Sequence, residues 1–493
     1  MKNGATVEER AGWIETELGQ LCSKIVDGTH HTPEYTEKGI PFISVKDIHN
    51  GKVNFDNCKY ISCETHNELI KRCFPEPDNL LITKSGTIGR MAIVPKKPDF
   101  SLFVSVALLK NYKSIINTKF LLYSLENYLN SINISQDIKG GLIKNFHLED
   151  IRVTKVNLAP LPEQRAIVSK IEQLFSELDN GISNLKMAKE QLKVYRQAVL
   201  KKAFEGELTK KWREQKADLP DAGDLLEQIR KEREETAKKS SKKMKSINSL
   251  AESQLSNLPK GWGWTRLGNL VEEPKYGTSK KCDYNINGIG VLRIPNISDG
   301  LINDSDLKFA QFDSSEIENY CLKAEDILTI RSNGSVDLVG KCALVSVKDE
   351  KYLYAGYLIR LRPISSLINS KYLLNCLSSI DLRYQIESKA KSTSGVNNIN
   401  SGELQSLIIP ICSLPEQQAI VQEIETRLSV CDKIEQDIKE SLEKAEVLRQ
   451  SILKKAFEGK LLNKKELAEV RRAEDWEPGE VLLERVKAER ARK

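Results

Sequence analysis

The chain has 493 residues, of which 40% are hydrophobic and 29% charged, with a formal charge of +6 at neutral pH. That length exceeds one ordinary domain and permits sizeable cores. No apolar run is long enough to span a bilayer and the start lacks the apolar stretch of a secretion signal, so a cytoplasmic protein is expected.

Ten scattered cysteines without a CxxC, and five histidines, offer no zinc-site spacing. In chain order, Ile40-Pro41-Phe42-Ile43-Ser44-Val45 and Asn79-Leu80-Leu81-Ile82-Thr83 read as strands. The second runs into a basic, glycine-containing turn, Lys84-Ser85-Gly86-Thr87, and a short helical pattern follows over 119–129. From Leu161 the period changes. Ile171, Leu178, Leu185, Leu192 and Val199 fall every seven residues, with Leu174, Phe175, Ile182 and Tyr195 beside them. Such spacing marks a coiled-coil seam. Pro162 suits a first helical turn and Gly206 a stop. About 40 residues between them make a rod of roughly 60 Å. Residues 209–260 are charge-rich and expected to form a solvated linker, with a phosphate-contacting arm at the basic run 238–245 as the alternative. Strands then recur at Val291-Leu292-Arg293-Ile294 and Asp326-Ile327-Leu328-Thr329-Ile330. The latter enters a second basic turn, Arg331-Ser332-Asn333-Gly334-Ser335, and a helical pattern covers 371–382. A second heptad stripe follows: Ile424, Cys431, Ile438, Ala445 and Ile452, flanked by Leu428, Ile434, Leu442 and Leu448. Pro415 and Gly459 bracket it.

These elements form a tandem repeat. Leu161-Pro162-Glu163-Gln164 recurs at Leu414-Pro415-Glu416-Gln417, and Leu200-Lys201-Lys202-Ala203-Phe204-Glu205-Gly206 at Leu453-Lys454-Lys455-Ala456-Phe457-Glu458-Gly459, all at one offset of 253. Fainter matches join Thr16-Glu17-Leu18-Gly19 to Thr265-Arg266-Leu267-Gly268, and Leu225-Leu226-Glu227 to Leu482-Leu483-Glu484. The segments before each helix match only at scattered points, such as Gly89 with Gly340. One part of the molecule therefore meets the same partner twice, and the other meets two different targets. The expected class is α/β (α+β). Globular domains fall at 1–160 and 261–413, long helices at 161–208 and 414–461, a charged linker at 209–260 and a charged helical tail at 462–493. The two helices most simply pair with each other, antiparallel.

Motifs of catalysis are missing. The stretch from Gly334 to Lys341 misses a P-loop by spacing, and Cys342 stands where Ser or Thr is needed. No two prolines are adjacent, which excludes the Asp/Asn-Pro-Pro-aromatic loop of amino-methyltransferases. No nucleophile elbow or HExxH occurs.

The order variable domain, LPEQ helix, variable domain, LPEQ helix resembles the specificity (S) subunit of type I restriction-modification systems. The resemblance covers the whole chain. It rests also on Arg196-Gln197 leading into the run ending at Leu208, its copy from Arg449 to Leu461, Leu258-Pro259-Lys260-Gly261-Trp262, and Thr393-Ser394-Gly395-Val396-Asn397-Asn398-Ile399. It implies a non-catalytic, DNA-binding subunit whose two target-recognition domains read a split, asymmetric site in double-stranded DNA. The helices would act as spacer and as docking surface for two adenine methyltransferase (M) subunits, with two ATP-dependent restriction (R) subunits completing the complex. S-adenosylmethionine, ATP and Mg would then sit on those partners, and this chain would bind no cofactor and no metal. A stand-alone two-domain DNA-binding regulator without enzyme partners, a coiled-coil scaffold and a fused enzyme are the competing readings.

For base contacts the candidates lie on the basic turns and their neighbours. Arg331 and Arg293 can fork onto guanine, and Asn333, Asn397 and Asn398 can pair with adenine. Lys46, Lys84, Thr87, Arg90, Lys139 and Lys144 are candidates in the first domain, with Asn296, Lys341 and Thr393 in the second. Ser85 and Ser332 are candidates for phosphate. The helix residues expected to pair or dock are Ile171, Leu178, Leu185, Leu192, Val199 and Phe204, with Ile424, Ile438, Ile452 and Phe457. The first domain has Gly140-Gly141-Leu142-Ile143-Lys144-Asn145 where the second has the TSGVNNI stretch.

Overall fold

The computed structural model describes residues 10–49, 51–136, 146–216, 218–239, 257–298, 300–364, 366–393 and 395–491. Lys139, Lys144 and most of the basic run 238–245 lie outside them. The chain folds as two compact units, Met1–Lys186 with Lys439–Lys493, and Met187–Ile438.

The first unit is framed by strand Ile14–Glu17 paired antiparallel with Lys155–Leu158. Inside that frame lies an antiparallel sheet in the order Cys22–Asp27, Val106–Asn111, Leu80–Thr83, Met91–Ile93. A second sheet orders Lys59–Ile61, Ile40–Ile43 and Ser101–Leu102, the last pair parallel. Strand Leu80–Thr83 is buried along its whole length. Side chains alternate across a strand, so Leu80 and Ile82 enter one core and Leu81 another, with Ile43, Leu102 and Leu108.

The second unit repeats this plan. Gly263–Arg266 pairs with Ile408–Ile411. Its main sheet runs Lys275–Tyr276, Leu358–Leu361, Ile327–Ile330, Cys342–Leu344, and its smaller one Lys308–Ala310, Ile289–Leu292, Leu353–Tyr354. It also carries a three-stranded sheet of Ser332–Asn333, Val396–Asn398 and Lys391–Thr393.

The helices Leu161–Phe204 and Leu414–Phe457 are 44 residues each, and the boundary between units divides both. In the first unit Ile167, Val168, Ile171 and Phe175 share a core with Ile452, Leu453, Ala456 and Phe457. In the second, Val199, Leu200, Ala203 and Phe204 share one with Ile420, Val421 and Ile424. The start of one helix thus meets the end of the other, which is the antiparallel pairing expected. Arg196 reaches Asp432 at 2.7 Å, and Arg449 pairs with Asp179. Both members of the second pair stand 253 positions from their counterparts in the first, so the same pairing is made once in each unit. The seam of the second helix is closed, with Ile424, Cys431, Ile438, Ala445 and Ile452 all buried. That of the first is closed only at Ile171 and Val199. Leu178, Leu185 and Leu192 are half-buried. The flanking residues Tyr195, Ile434 and Leu448 are exposed and belong to no seam.

One expectation is corrected. The connector is not a solvated linker in its described part: helix Ala222–Lys239 buries Ala222, Leu225 and Ile229 in the core of the second unit. Likewise helix Gly479–Ala491 of the tail buries Leu482, Leu483 and Val486 in the core of the first. Apolar residues at helical spacing within a charged stretch pack one face and solvate the other.

The LPEQ motifs hold these joins. Gln164 is buried and donates to the carbonyls of Ile115 (2.9 Å) and Ala159 (2.7 Å), and its Oε1 accepts from Asn117 N (2.8 Å). Gln417 repeats this with Cys412 and Asn369, each at 2.9 Å. Glu163 accepts from Trp13 Nε1 (2.7 Å), Arg471 Nε (3.0 Å) and Trp476 Nε1 (3.1 Å). Glu416 accepts from Trp262 Nε1 (3.0 Å), Thr209 Oγ1 (2.8 Å) and Arg213. Buried carboxylates are tolerated when donors fill them this way.

Candidate nucleic-acid interface

The two basic turns occupy equivalent places. In the first unit the turn joins Leu80–Thr83 to Met91–Ile93. Thr83 Oγ1 closes it, donating to Thr87 O at 2.6 Å and accepting from Arg90 N at 2.9 Å. Gly89 donates to Thr83 O, and in the second unit Gly340 donates to Ile330 O, at 2.9 and 2.7 Å. Both glycines have positive φ, 86° and 79°, where a side chain is strained. The second turn is four residues longer between its basic residue and this glycine. Phe146 N donates to Lys84 O, and Ile399 N to Arg331 O, at 2.8 and 2.9 Å. Phe146 and Ile399 also stand 253 apart, so equivalent residues of the two units meet equivalent turns.

The chemistry at these equivalent points differs. Lys84 is only 16% exposed and its ammonium lies 3.0 Å from Asp27, itself 3% exposed. Arg72 and His30 reach the same carboxylate at 2.6 and 3.3 Å. Lys84 is therefore a neutralised, partly buried group and not the free cation expected. Asp27 corresponds to Tyr276, since Gly28 N donates to Val106 O and Gly277 N to Leu358 O. Over that tyrosine ring, 4.6 Å from its centroid, lies the Arg331 guanidinium, whose Nε donates to Asn398 Oδ1 at 3.2 Å. Tyr276 is itself fixed, its hydroxyl accepting from Ser401 N at 2.9 Å. The glycines after Asp27 and Tyr276 let two chains touch. A Cβ on Gly28 would lie 2.0 Å from Leu102 O, and on Gly277 2.2 Å from Tyr354 O.

The second unit brings several predicted residues together. Ser332 stands opposite Asn398 and Asn333 opposite Asn397. Asn397 donates to Gly334 O at 3.0 Å, and Asn333 Oδ1 accepts from Ser335 N at 2.9 Å. Thr393 ends the neighbouring strand, of which the backbone alone is described. Lys341 is exposed at the far side of the turn. Asn296 is a correction. It is 1% exposed, accepts from Arg293 N at 2.7 Å and donates to the carbonyls of Asn303 (2.8 Å) and Asp306 (2.9 Å). With its amide so occupied it braces the loop. Asp47 does the equivalent work in the first unit, accepting from Ser44 N at 2.7 Å.

Arg293 pairs with Asp306 at 3.0 Å and faces the Tyr284 ring. It lines a cleft of about 560 Å³ with Lys280, Cys282, Lys308 and Tyr357. Burial pushes the Cys282 thiol up, although Arg293, Lys308 and Lys280 pull it the other way. The Cys22 thiol, buried in the first unit, is pushed up to about 12 by the same desolvation. In the first unit Ser85 and Arg90 are half-buried and Thr87 and Lys46 exposed. Arg90 Nη1 donates to His49 Nδ1 at 3.0 Å, and His49 Nε2 meets Lys46 O. His49, Asp27, Tyr276 and Tyr284 were missed from sequence. A strand-end position beside a turn was the only signal for any of them.

Comparison with known proteins decides the family. The model of the type I restriction modification DNA specificity domain matches residues 11–187 and 259–444, once on each repeat. The chain belongs to that family. It is thus a DNA-recognition subunit of a type I restriction-modification system, and non-catalytic. It is 26% identical over 497 aligned residues to the EcoKI specificity subunit of Escherichia coli K12, covering 97% of this chain and 96% of that one. The StySPI specificity subunit of Salmonella potsdam is also 26% identical, over 92% of this chain and 89% of that one. A solved chain from a study of complex assembly and conformational transition in a type I R-M system superposes with TM-score 0.64 at 19% identity, covering 92% of this chain and 99% of that one. The HsdS subunit of Thermoanaerobacter tengcongensis superposes at 0.51 and 18%, covering 92% and 98%. At those identities the likeness is one of fold. No helix among the described residues of this specificity chain is long and apolar enough to cross a membrane.

Proposed function

We propose that each unit reads one part of a split, asymmetric site in double-stranded DNA. The paired helices set the separation of the parts and dock two adenine methyltransferase subunits, and two restriction subunits complete the assembly. S-adenosylmethionine, ATP and Mg belong to those partners. The observation that carries this reading is one frame with two chemistries. The helix pairs Arg196–Asp432 and Arg449–Asp179 are equivalent, as one partner met twice requires. The equivalent turns carry Lys84 on Asp27 in one unit and Arg331 on Tyr276 in the other, as two different base sequences require. Base edges in the major groove are told apart by such donor patterns, while phosphate contacts only position the protein.

The test is to map methylated adenines in DNA from cells expressing this chain with its methyltransferase. A bipartite motif with unlike halves is expected. A single palindromic motif, or methylation without sequence preference, would remove the two-reader assignment.

A further inference from the structure

Arginine reads guanine through a fork of N–H donors, which is most effective where the fork is held in place and its charge is not already shared with a carboxylate. The segments 18–154 and 267–407 contain eight arginines. Six have a carboxylate within 4.0 Å: Arg72, Arg152, Arg293, Arg360, Arg362 and Arg383. Among the described residues only Arg90 and Arg331 have none, and there is one in each unit. Both are nevertheless pinned, by uncharged partners. His49 Nδ1 accepts from Arg90 while its Nε2 faces the Lys46 carbonyl, an arrangement that selects the Nε2–H tautomer. Arg331 lies on the Tyr276 ring with Nε tied to Asn398 Oδ1. In both cases the partner fixes direction and leaves donors for another acceptor. The equivalents across the repeat are unlike. Bridges of Gly51 to Ala92 and of Gly300 to Ala343 align the two turns, and Ser298 and Lys341 then stand where His49 and Arg90 do.

We propose that Arg90 and Arg331 are the guanine-reading side chains of the two units, with His49 and Tyr276 as their positioning residues, and that Arg293, neutralised by Asp306, is not a reader. This rests on the two-reader assignment above.

The experiment uses the full chain co-assembled with its methyltransferase. Binding is measured on duplexes carrying the mapped site and on each single base-pair variant of it. Arg90→Ala and His49→Ala are expected to relax selection at the same guanine of one half-site, by roughly 5- to 150-fold. His49→Asn, whose amide oxygen replaces Nδ1 as acceptor, retains selection. Arg90→Lys keeps the charge and so the general affinity for duplex DNA, but loses the fork and discriminates that guanine less than Arg90 does. Arg331→Ala and Tyr276→Leu act together on the other half-site, where Tyr276→Phe retains the ring and the selectivity. The proposal is overturned if His49→Ala leaves base preference intact, if Arg90→Ala weakens all duplexes equally, or if Arg293→Ala is the substitution that relaxes a base. Wild-type protein without any sequence preference would sink the two-reader assignment as well. Selective wild type with unchanged variants would sink this proposal alone.

Discussion

At the scale of single residues, the repeated LPEQ sequence is explained by what its last two side chains bind. Glu416 is buried and receives three donors from segments distant in sequence. Glu416→Ala would leave Arg213, Thr209 and Trp262 facing a void, and loss of one partner of a buried charged cluster costs about 3–5 kcal/mol. Urea denaturation of the full chain should show that loss, and a change under about 1 kcal/mol would contradict the clamp. Glu126 makes the opposite case. Burial raises its carboxyl, Arg449 opposes that and Glu446 adds to it. A carboxyl raised in the folded state costs stability above its folded pKa, and that cost vanishes below the ordinary carboxylate value. Glu126→Gln should therefore raise the denaturation midpoint at pH 7 to 8, with the gain shrinking as pH falls through the folded pKa toward the ordinary carboxylate range. A gain independent of pH would contradict the assignment. Residues of this kind were partly readable beforehand. The repeat announced Glu163 and Gln164, but not their partners, because Trp13, Arg471 and Trp476 arrive from both ends of the chain. Asn296 looked like a base reader because an amide that caps a loop and one that meets adenine have the same letter.

At the scale of elements, the heptad stripe predicted the helices, their stop glycines and their antiparallel partner. It did not predict that one seam closes more fully than the other. Ile438 is 5% exposed, while Leu185 is half-buried. An aspartate at Ile438 places a charge in a buried seam, whereas one at Leu185 can turn to water. Ile438→Asp should lower the midpoint of thermal unfolding several degrees further than Leu185→Asp. Equal effects would mean the seam is symmetric after all. The connector was misread for a plain reason: four apolar residues, Ala222, Leu225, Leu226 and Ile229, do the packing in a helix rich in charge. The faint match of Leu225-Leu226-Glu227 to Leu482-Leu483-Glu484 was the available signal. Both helices turned out to cover a core.

At the scale of the whole molecule, sequence repeat and folding unit do not coincide. The first unit is built from residues 1–186 together with 439–493, and the second from 187–438. Removing residues 463–493 should strip Leu482, Leu483 and Val486 from the first core, at about 1.5–3 kcal/mol for each of these aliphatic side chains. It also removes Arg471 and Trp476 from Glu163. Hydrogen exchange should then accelerate in Ile14–Glu17 and Lys155–Leu158 and stay slow in Gly263–Arg266 and Ile408–Ile411. Acceleration in both pairs would show that the units do not fold separately.

That discontinuity has a consequence during synthesis. Domains usually fold in the order in which they leave the ribosome. Here the unit that begins the polypeptide waits for the last part to be translated. The internal unit has all its residues once Ile438 has emerged. The unit that holds the amino-terminal segment should therefore mature second, and a nascent chain stalled just after Ile438 has emerged would hold one finished unit and one still open.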